Sequence, residues 1–491
     1  MRQSGILMHI TSLPGPYGIG TMGESAYHFL DFLKQAGQSV WQLLPLSPTG
    51  FGDSPYQAFS TCAGNPYLID LDTLVREGLL KQEELDSVCW GSDPGRVDFG
   101  LQYRERTRIL RIAMERFQPD AAYEAFLREN AHWLEDYCLF MAIKEHLGGC
   151  IWTQWPRPLL CREPEALTEM RGLLQDSICL HRFVQFQFDR QWKALRSYAG
   201  RLGIRIIGDV PIYVPLDSAD VWAEPELFEL DENRKPVKVA GCPPDAFSAD
   251  GQLWGNPLYD WQKMADTGYA WWIRRLSAAA KMYDVIRFDH FRGFESYWAV
   301  PSGAPNARGG HWEPGPGSDF IRAIQQAFSG LDFIAEDLGF ITPQVRRLQL
   351  ESGYPGMKVL EFAFDSREES DYLPHLYPVD SVCYTGTHDN EPLAQWFETA
   401  AAEDVAYAKT YLGLNEEEGY IWGMIRGCMG SVSRLCVVQM QDYLELGSDA
   451  RMTFPGTLSC NNWTWRALPG FDSEDLAQRI RAVTKLYGRL S

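Results

Sequence analysis

Positive charge is scarce in this chain. Its 491 residues hold 45 Lys and Arg against 65 Asp and Glu, a formal net charge of −20. No Lys/Arg-rich run occurs, which argues against a nucleic-acid partner. Long apolar runs are missing too: none reaches the roughly 18 residues that suggest a membrane span. The start, Met1-Arg2-Gln3-Ser4-Gly5-Ile6, lacks the basic-then-apolar build of a secretory signal. The 11 cysteines include no C-x-x-C pair, so neither a disulfide framework nor a zinc ribbon is expected. No H-E-x-x-H or P-loop is present. These absences predict an acidic, soluble, cytoplasmic protein.

What is present is apolar mass. Hydrophobic residues make up 45% of the chain, enough for a large core. The 17 Trp and 22 Tyr offer ring faces that suit sugars, although most such residues serve packing. Eight short, largely apolar runs stand at 5–10, 39–45, 204–214, 284–289, 332–339, 357–364, 381–390 and 435–444. Helical patterns such as 24–37 and 319–329 separate them. Apolar strands alternating with helices imply a parallel sheet covered on both faces. Eight units predict a (β/α)8 TIM barrel, with an open doubly wound sheet as the rival.

The spacing predicts one catalytic barrel over 1–491 with large insertions at its C-terminal face and no separate C-terminal β-domain. Residues 65–200, with helical patterns at 101–117, 121–146 and 165–195, are expected to form a mostly helical subdomain. Residues 215–283 and 293–318, rich in Pro, Gly and Trp, are expected as loop subdomains over the barrel mouth.

Charge inside a strand is costly unless paired, yet the run VIRFDHF places Arg287 and Asp289 among apolar neighbours. Acids also stand at four other strand ends: Asp209, Glu336-Asp337, Asp365 and His388-Asp389. One such acid is often a helix cap; five crowd negative charge into one cup. Arg287, two residues before Asp289, shares its strand face and is expected to pair with it and keep it ionised. Glu336, after Phe333-Ile334-Ala335, is expected to hold its proton. One ionised and one protonated carboxyl are the equipment for breaking a glycosidic bond.

Eight segments together resemble glycoside hydrolase family 77, the amylomaltases or 4-α-glucanotransferases of the α-amylase superfamily. They are HITSLPGPYGIG (9–20), GDSPYQ (52–57), GDVPIYV (208–214), PPDAFSADGQLWGNPLYDW ending at Trp261, RFDHFRG (287–293), AEDLG (335–339), GTHDN (386–390) and NNWTWR (461–466). The resemblance covers about residues 5–485. It implies retaining double displacement on an α-1,4-glucan, with transfer to glucose or another maltooligosaccharide and no metal or organic cofactor. It implies Asp289 as nucleophile, Glu336 as general acid/base and Asp389 as transition-state stabiliser. It further implies sugar contacts from Ser54, Tyr56, Arg287, His290, Asp365, His388 and Asn462, and from Asp245, Gln252 and Trp254 in a loop over the acceptor side. Two positions depart from the common pattern: Ala246 where many members have Tyr, and Thr453 where many have Asn.

Other readings compete. Gly18-Ile19-Gly20-Thr21-Met22-Gly23 is a literal G-x-G-x-x-G, but seven residues separate it from the first strand, and the second strand ends Leu44-Pro45-Leu46 without an acid for a ribose. A glucan-binding barrel without activity would not need all three acids. An α-glucan hydrolase would use the same acids and differ only in the second nucleophile. His132 and His146 lack partner spacing, and Trp271-Trp272 reads as helix packing.

Overall fold

The computed structural model describes residues 2–50, 52–244 and 248–490. Its strands are β1 (Gln3–Leu7), β2 (Val40–Gln42), β3 (Arg205–Pro211), β4 (Lys238–Cys242), β5 (Gln252–Pro257), β6 (Val285–Asp289), β7 (Ser296–Pro301), β8 (His311–Pro314), β9 (Asp332–Ala335), β10 (Gly356–Val359), β11 (Ser381–Tyr384) and β12 (Leu435–Gln439). Eight of them close a barrel in the order β1-β12-β11-β10-β9-β6-β3-β2, and every pairing in it is parallel. Each of the eight predicted runs supplies one barrel strand. The strands are shorter than the runs because the chain leaves the ladder as it reaches the polar residues at the cup.

β12 is buried at all five positions. One face fills the barrel and the other meets helices, so its sequence does not alternate. The helix Glu24–Gln35 buries Ala26, Phe29, Leu30 and Leu33, one stripe at helical spacing. Pro343 opens the helix Pro343–Ser352, capped by the Thr342 hydroxyl.

Between β2 and β3 the chain is helical, with long helices over Ala121–His146 and Gln175–Leu202. Asp120 caps the first by accepting from the Tyr123 N–H at 2.8 Å. The single helical pattern expected at 165–195 is two helices, Pro164–Leu173 and Gln175–Leu202.

The segments after β3 and β6 are not simply loops. β4 and β5 from the first, and β7 and β8 from the second, form one four-stranded antiparallel sheet in the order β5-β4-β7-β8. Trp271 and Trp272 are buried in the helix Ala270–Met282.

The glycine motif at 18–23 is a packing device. A Cβ on Gly18 would stand 2.0 Å from the Trp90 carbonyl, one on Gly20 1.9 Å from that of Ile10, and one on Gly23 2.2 Å from the Asp70 carboxylate. The space beside each glycine is filled by the protein, and an acid at Gly23 repels a pyrophosphate. Among the described residues no helix is long and apolar enough to cross a membrane.

Candidate active site

The register of β3, β6 and β9 assembles the floor of the cup. Asp209 pairs with Arg287 across β3 and β6, so the two side chains share a face. One Arg287 nitrogen lies 2.7 and 2.6 Å from the two Asp209 oxygens and 3.1 Å from Asp289 Oδ1. The expected pair of Arg287 with Asp289 is present, and Arg287 has a second, closer partner in Asp209. Tyr56 donates to Asp209 Oδ2 at 2.6 Å and stands 2.9 Å from His388 Nε2. Its ring stacks on His388, centroids 5.3 Å apart and 15° from parallel. Ser54 braces this tyrosine by accepting from its N–H at 3.2 Å.

Phe288 pairs with Ala335 across β6 and β9, and the Glu336 N–H donates to the Phe288 carbonyl at 3.0 Å. Asp289 and Glu336 therefore leave adjacent strands at one level. The Glu336 carboxyl accepts from the His290 N–H at Oε2 and the Leu338 N–H at Oε1, each at 2.7 Å. The His290 backbone reaches it from the left-handed region, at φ 54°, a conformation uncommon for a side-chain-bearing residue and often found at functional sites.

Burial is the largest influence on both acids. It pushes Asp289 well above the usual carboxylate range; Arg287 pulls back, and Asp209, Glu336 and Asp389 push further up. The Asp289 side chain keeps 26% of its surface open to the cup, and water there tempers the push. Glu336 is raised by burial and drawn down by Arg287 and by its two backbone donors. Burial lowers His388 and brings His290 down to about 3, so both imidazoles are neutral at pH 7. His290 Nε2 is buried without a hydrogen-bond partner among the described residues.

Asp389 follows β11 with its side chain 49% exposed, on a loop whose neighbouring residues Thr387, His388 and Asn390 are buried. His388 Nε2 lies 3.4 Å from its Oδ2, and Arg451 donates to its carbonyl at 3.1 Å. Trp254, on β5, donates to Gln252 at 3.2 Å and stands edge-on to His290 with centroids 4.8 Å apart. Through His290, the sheet of the insertions meets the acids. Asp245 and the neighbouring Ala246 lie outside the described residues.

Two expected sugar contacts have protein partners. Asp365 is clasped by Arg367 at 2.6 and 2.8 Å and drawn down to about 2 by it. Asn462 spends its amide on its own loop, accepting from the Phe454 N–H and donating to the Thr457 carbonyl and hydroxyl. Thr453 is buried, and its carbonyl accepts from Arg451. Asp209 is the floor residue left without a role by sequence reasoning; its position at a strand end was the available signal.

Among the described residues one group of three side chains could hold a metal: Cys383, Cys428 and Cys436, all buried, their sulfurs within 4.8 Å. Cys383 and Cys436 pair across β11 and β12 and face the helix Tyr420–Gly430, which carries Cys428. Ser431 and backbone carbonyls already surround the Cys383 thiol.

A closed parallel barrel with acids gathered at its strand ends is the architecture of barrel enzymes that act on glycosidic bonds. Residues 8–470 match the glycoside hydrolase 77 family, described as 4-alpha-glucanotransferase. A 4-alpha-glucanotransferase of Thermus thermophilus is 48% identical over 502 residues, covering 100% of this chain and 99% of that protein. The chloroplastic/amyloplastic enzyme of Solanum tuberosum is 43% identical, covering 100% of this chain and 87% of that protein. The solved amylomaltase from Streptococcus agalactiae in complex with acarbose matches with a TM-score of 0.97 at 41% identity, with both chains fully covered. The chain belongs to the 4-alpha-glucanotransferase family.

Proposed function

We propose that the chain cleaves an α-1,4-glucan by retaining double displacement and passes the segment to the 4-hydroxyl of glucose or another maltooligosaccharide. Asp289 attacks the anomeric carbon while Glu336 gives its proton to the departing glycosidic oxygen. The acceptor hydroxyl then loses its proton to Glu336 and displaces Asp289. One observation carries this assignment. Asp289 makes the ion pair with Arg287, whereas Glu336, one strand over, has only backbone donors. In this reading the anion is placed at Asp289 because the guanidinium contacts it directly and part of its side chain stays open to water, which offsets the stronger upward push that burial and the neighbouring acids exert there. Asp389, beside the reacting centre, steadies the sugar hydroxyls as positive charge builds.

His290 Nε2 and Tyr56 face the sugar in this reading, and Trp254 supplies a ring for the acceptor. The acarbose bound by the Streptococcus relative supports an oligosaccharide ligand. The reading extends to a reducing cytoplasm, supported by 11 free cysteines. The test is maltotriose alone, with products resolved by length. Glucose plus longer maltooligosaccharides, with almost no gain in reducing ends, is the expected result. Reducing ends rising in step with donor loss would make the enzyme a hydrolase.

A further inference from the structure

β11 lies between β10 and β12, and the loop leaving it carries His388 and Asp389. Side chains from both flanking strands close beneath that loop. Glu361 follows β10, Gln439 ends β12, and they are 8% and 2% exposed. A Cβ placed on Gly386 would stand 2.7 Å from Glu361 Oε1 and 2.7 Å from Gln439 Nε2. Both atoms are buried and without a hydrogen-bond partner among the described residues. Only a glycine fits between them unmoved.

A chain of contacts leads from this seat to Asp389. The Glu361 N–H donates to the Thr385 carbonyl at 3.2 Å. Asn390 closes the same seat, its Cβ 3.1 Å from the Cβ placed on Gly386, and it draws the Glu361 carboxyl down. Asn390 Oδ1 accepts from the Thr387 N–H at 3.0 Å and its hydroxyl at 2.9 Å. The Asp389 N–H in turn faces the Thr387 hydroxyl at 3.3 Å.

We propose that Glu361 is a positioning residue for Asp389, seating Gly386 together with Gln439 and fixing the loop through Asn390 and Thr387. The inference rests on the proposed role of Asp389. A carboxyl buried without a bonded cation is costly in its charged form, and a leucine would fill the site more cheaply; retaining an acid there fits a polar seat for a loop that must not drift. The charged groups facing it are Asp442, Glu391 and Arg451. Burial and the two acids push Glu361 well up, and Arg451 and Asn390 only partly offset them.

The test is a cycle of Glu361→Gln, Asp389→Asn and the double variant, with α-glucosyl fluoride as donor and maltose as acceptor. Glu361→Gln is expected to keep its melting temperature within a few degrees and its KM within about twofold, while kcat falls about 10- to 100-fold. The double variant should be no slower than Asp389→Asn alone, because one residue acts through the other. Wild-type kcat in Glu361→Gln, or losses that multiply in the double variant, would overturn the proposal. Near-full turnover in Asp389→Asn would instead remove the role of Asp389 itself, and the positioning role with it. Gly386→Ala provides a second route should Glu361→Gln fold poorly. It intrudes on the same seat and should lower kcat with KM unchanged; wild-type kcat there also counts against the seat.

Discussion

Arg287 and Asp209 form a buried ion pair at the floor of the cup, with side chains 3% and 2% exposed. One guanidinium nitrogen reaches both carboxylate oxygens. Asp209→Asn is therefore expected to cost about 3–5 kcal/mol of unfolding free energy in urea, the usual penalty for leaving a buried charge short of its partner. It also leaves a single amide oxygen to serve both Arg287 and the Tyr56 hydroxyl, which now share the two carboxylate oxygens, so turnover should fall with stability. A variant as stable as wild type would show that Asp289 alone satisfies Arg287.

Asp289→Asn should give a folded protein with almost no turnover, since an amide cannot form the glycosyl ester. A tenth of wild-type activity would take the nucleophile role from Asp289.

Glu336→Gln separates proton donation from attack. Fluoride leaves with little help from an acid, so α-glucosyl fluoride should still load the enzyme when maltooligosaccharides no longer do. Equal losses on both donors would argue against an acid at this position.

Trp254→Ala addresses transfer against hydrolysis. Water competes at about 55 M, so a transferase must hold its acceptor and restrict water. Loss of the ring that stands 4.8 Å from His290 should raise reducing-end release per donor consumed while first cleavage persists. An unchanged ratio would place the acceptor on other residues.

Burial raises Asp442 to about 7, against the Leu393 N–H and Thr385 hydroxyl that pull it down. Between pH 4 and 7 the folded state holds a proton that the unfolded chain has lost, so this residue's contribution falls as pH rises. Asp442→Asn mimics the neutral acid. The stability advantage of wild type over Asp442→Asn should shrink by up to about 4 kcal/mol from pH 4 to 7 and then level off. A difference that grows with pH would mean that Asp442 is buried as an anion.

The barrel was legible because its strands are buried on both faces and so read as apolar runs. The acids were legible because a charge at the end of such a run is conspicuous. Partnership was less so. Arg287 looks two residues along its own strand to Asp289, yet its closer partner lies 78 residues back, visible only once β3 and β6 are in register. The sheet over the mouth escaped notice because β4, β5, β7 and β8 are four to six residues long and sit among Pro and Gly, where periodicity has no length to show itself. The Cys383–Cys428–Cys436 cluster has no local spacing at all; two strands and a helix bring it together. For Asp365 and Asn462, a matching motif could not reveal their bonds to Arg367 and to the 454–457 loop.

The mouth sheet has one more implication. β4 is hydrogen-bonded on one side to β5, from its own insertion, and on the other to β7, which enters more than 50 residues later. Trp254 is thus held in place partly by residues 296–301, with which it shares no strand pairing. The two insertions share one sheet, so loss of β7 would leave β4 with a bare edge and let Trp254 shift. Under the proposed role of Trp254, this couples acceptor choice to a stretch of chain that lies outside the acid cluster.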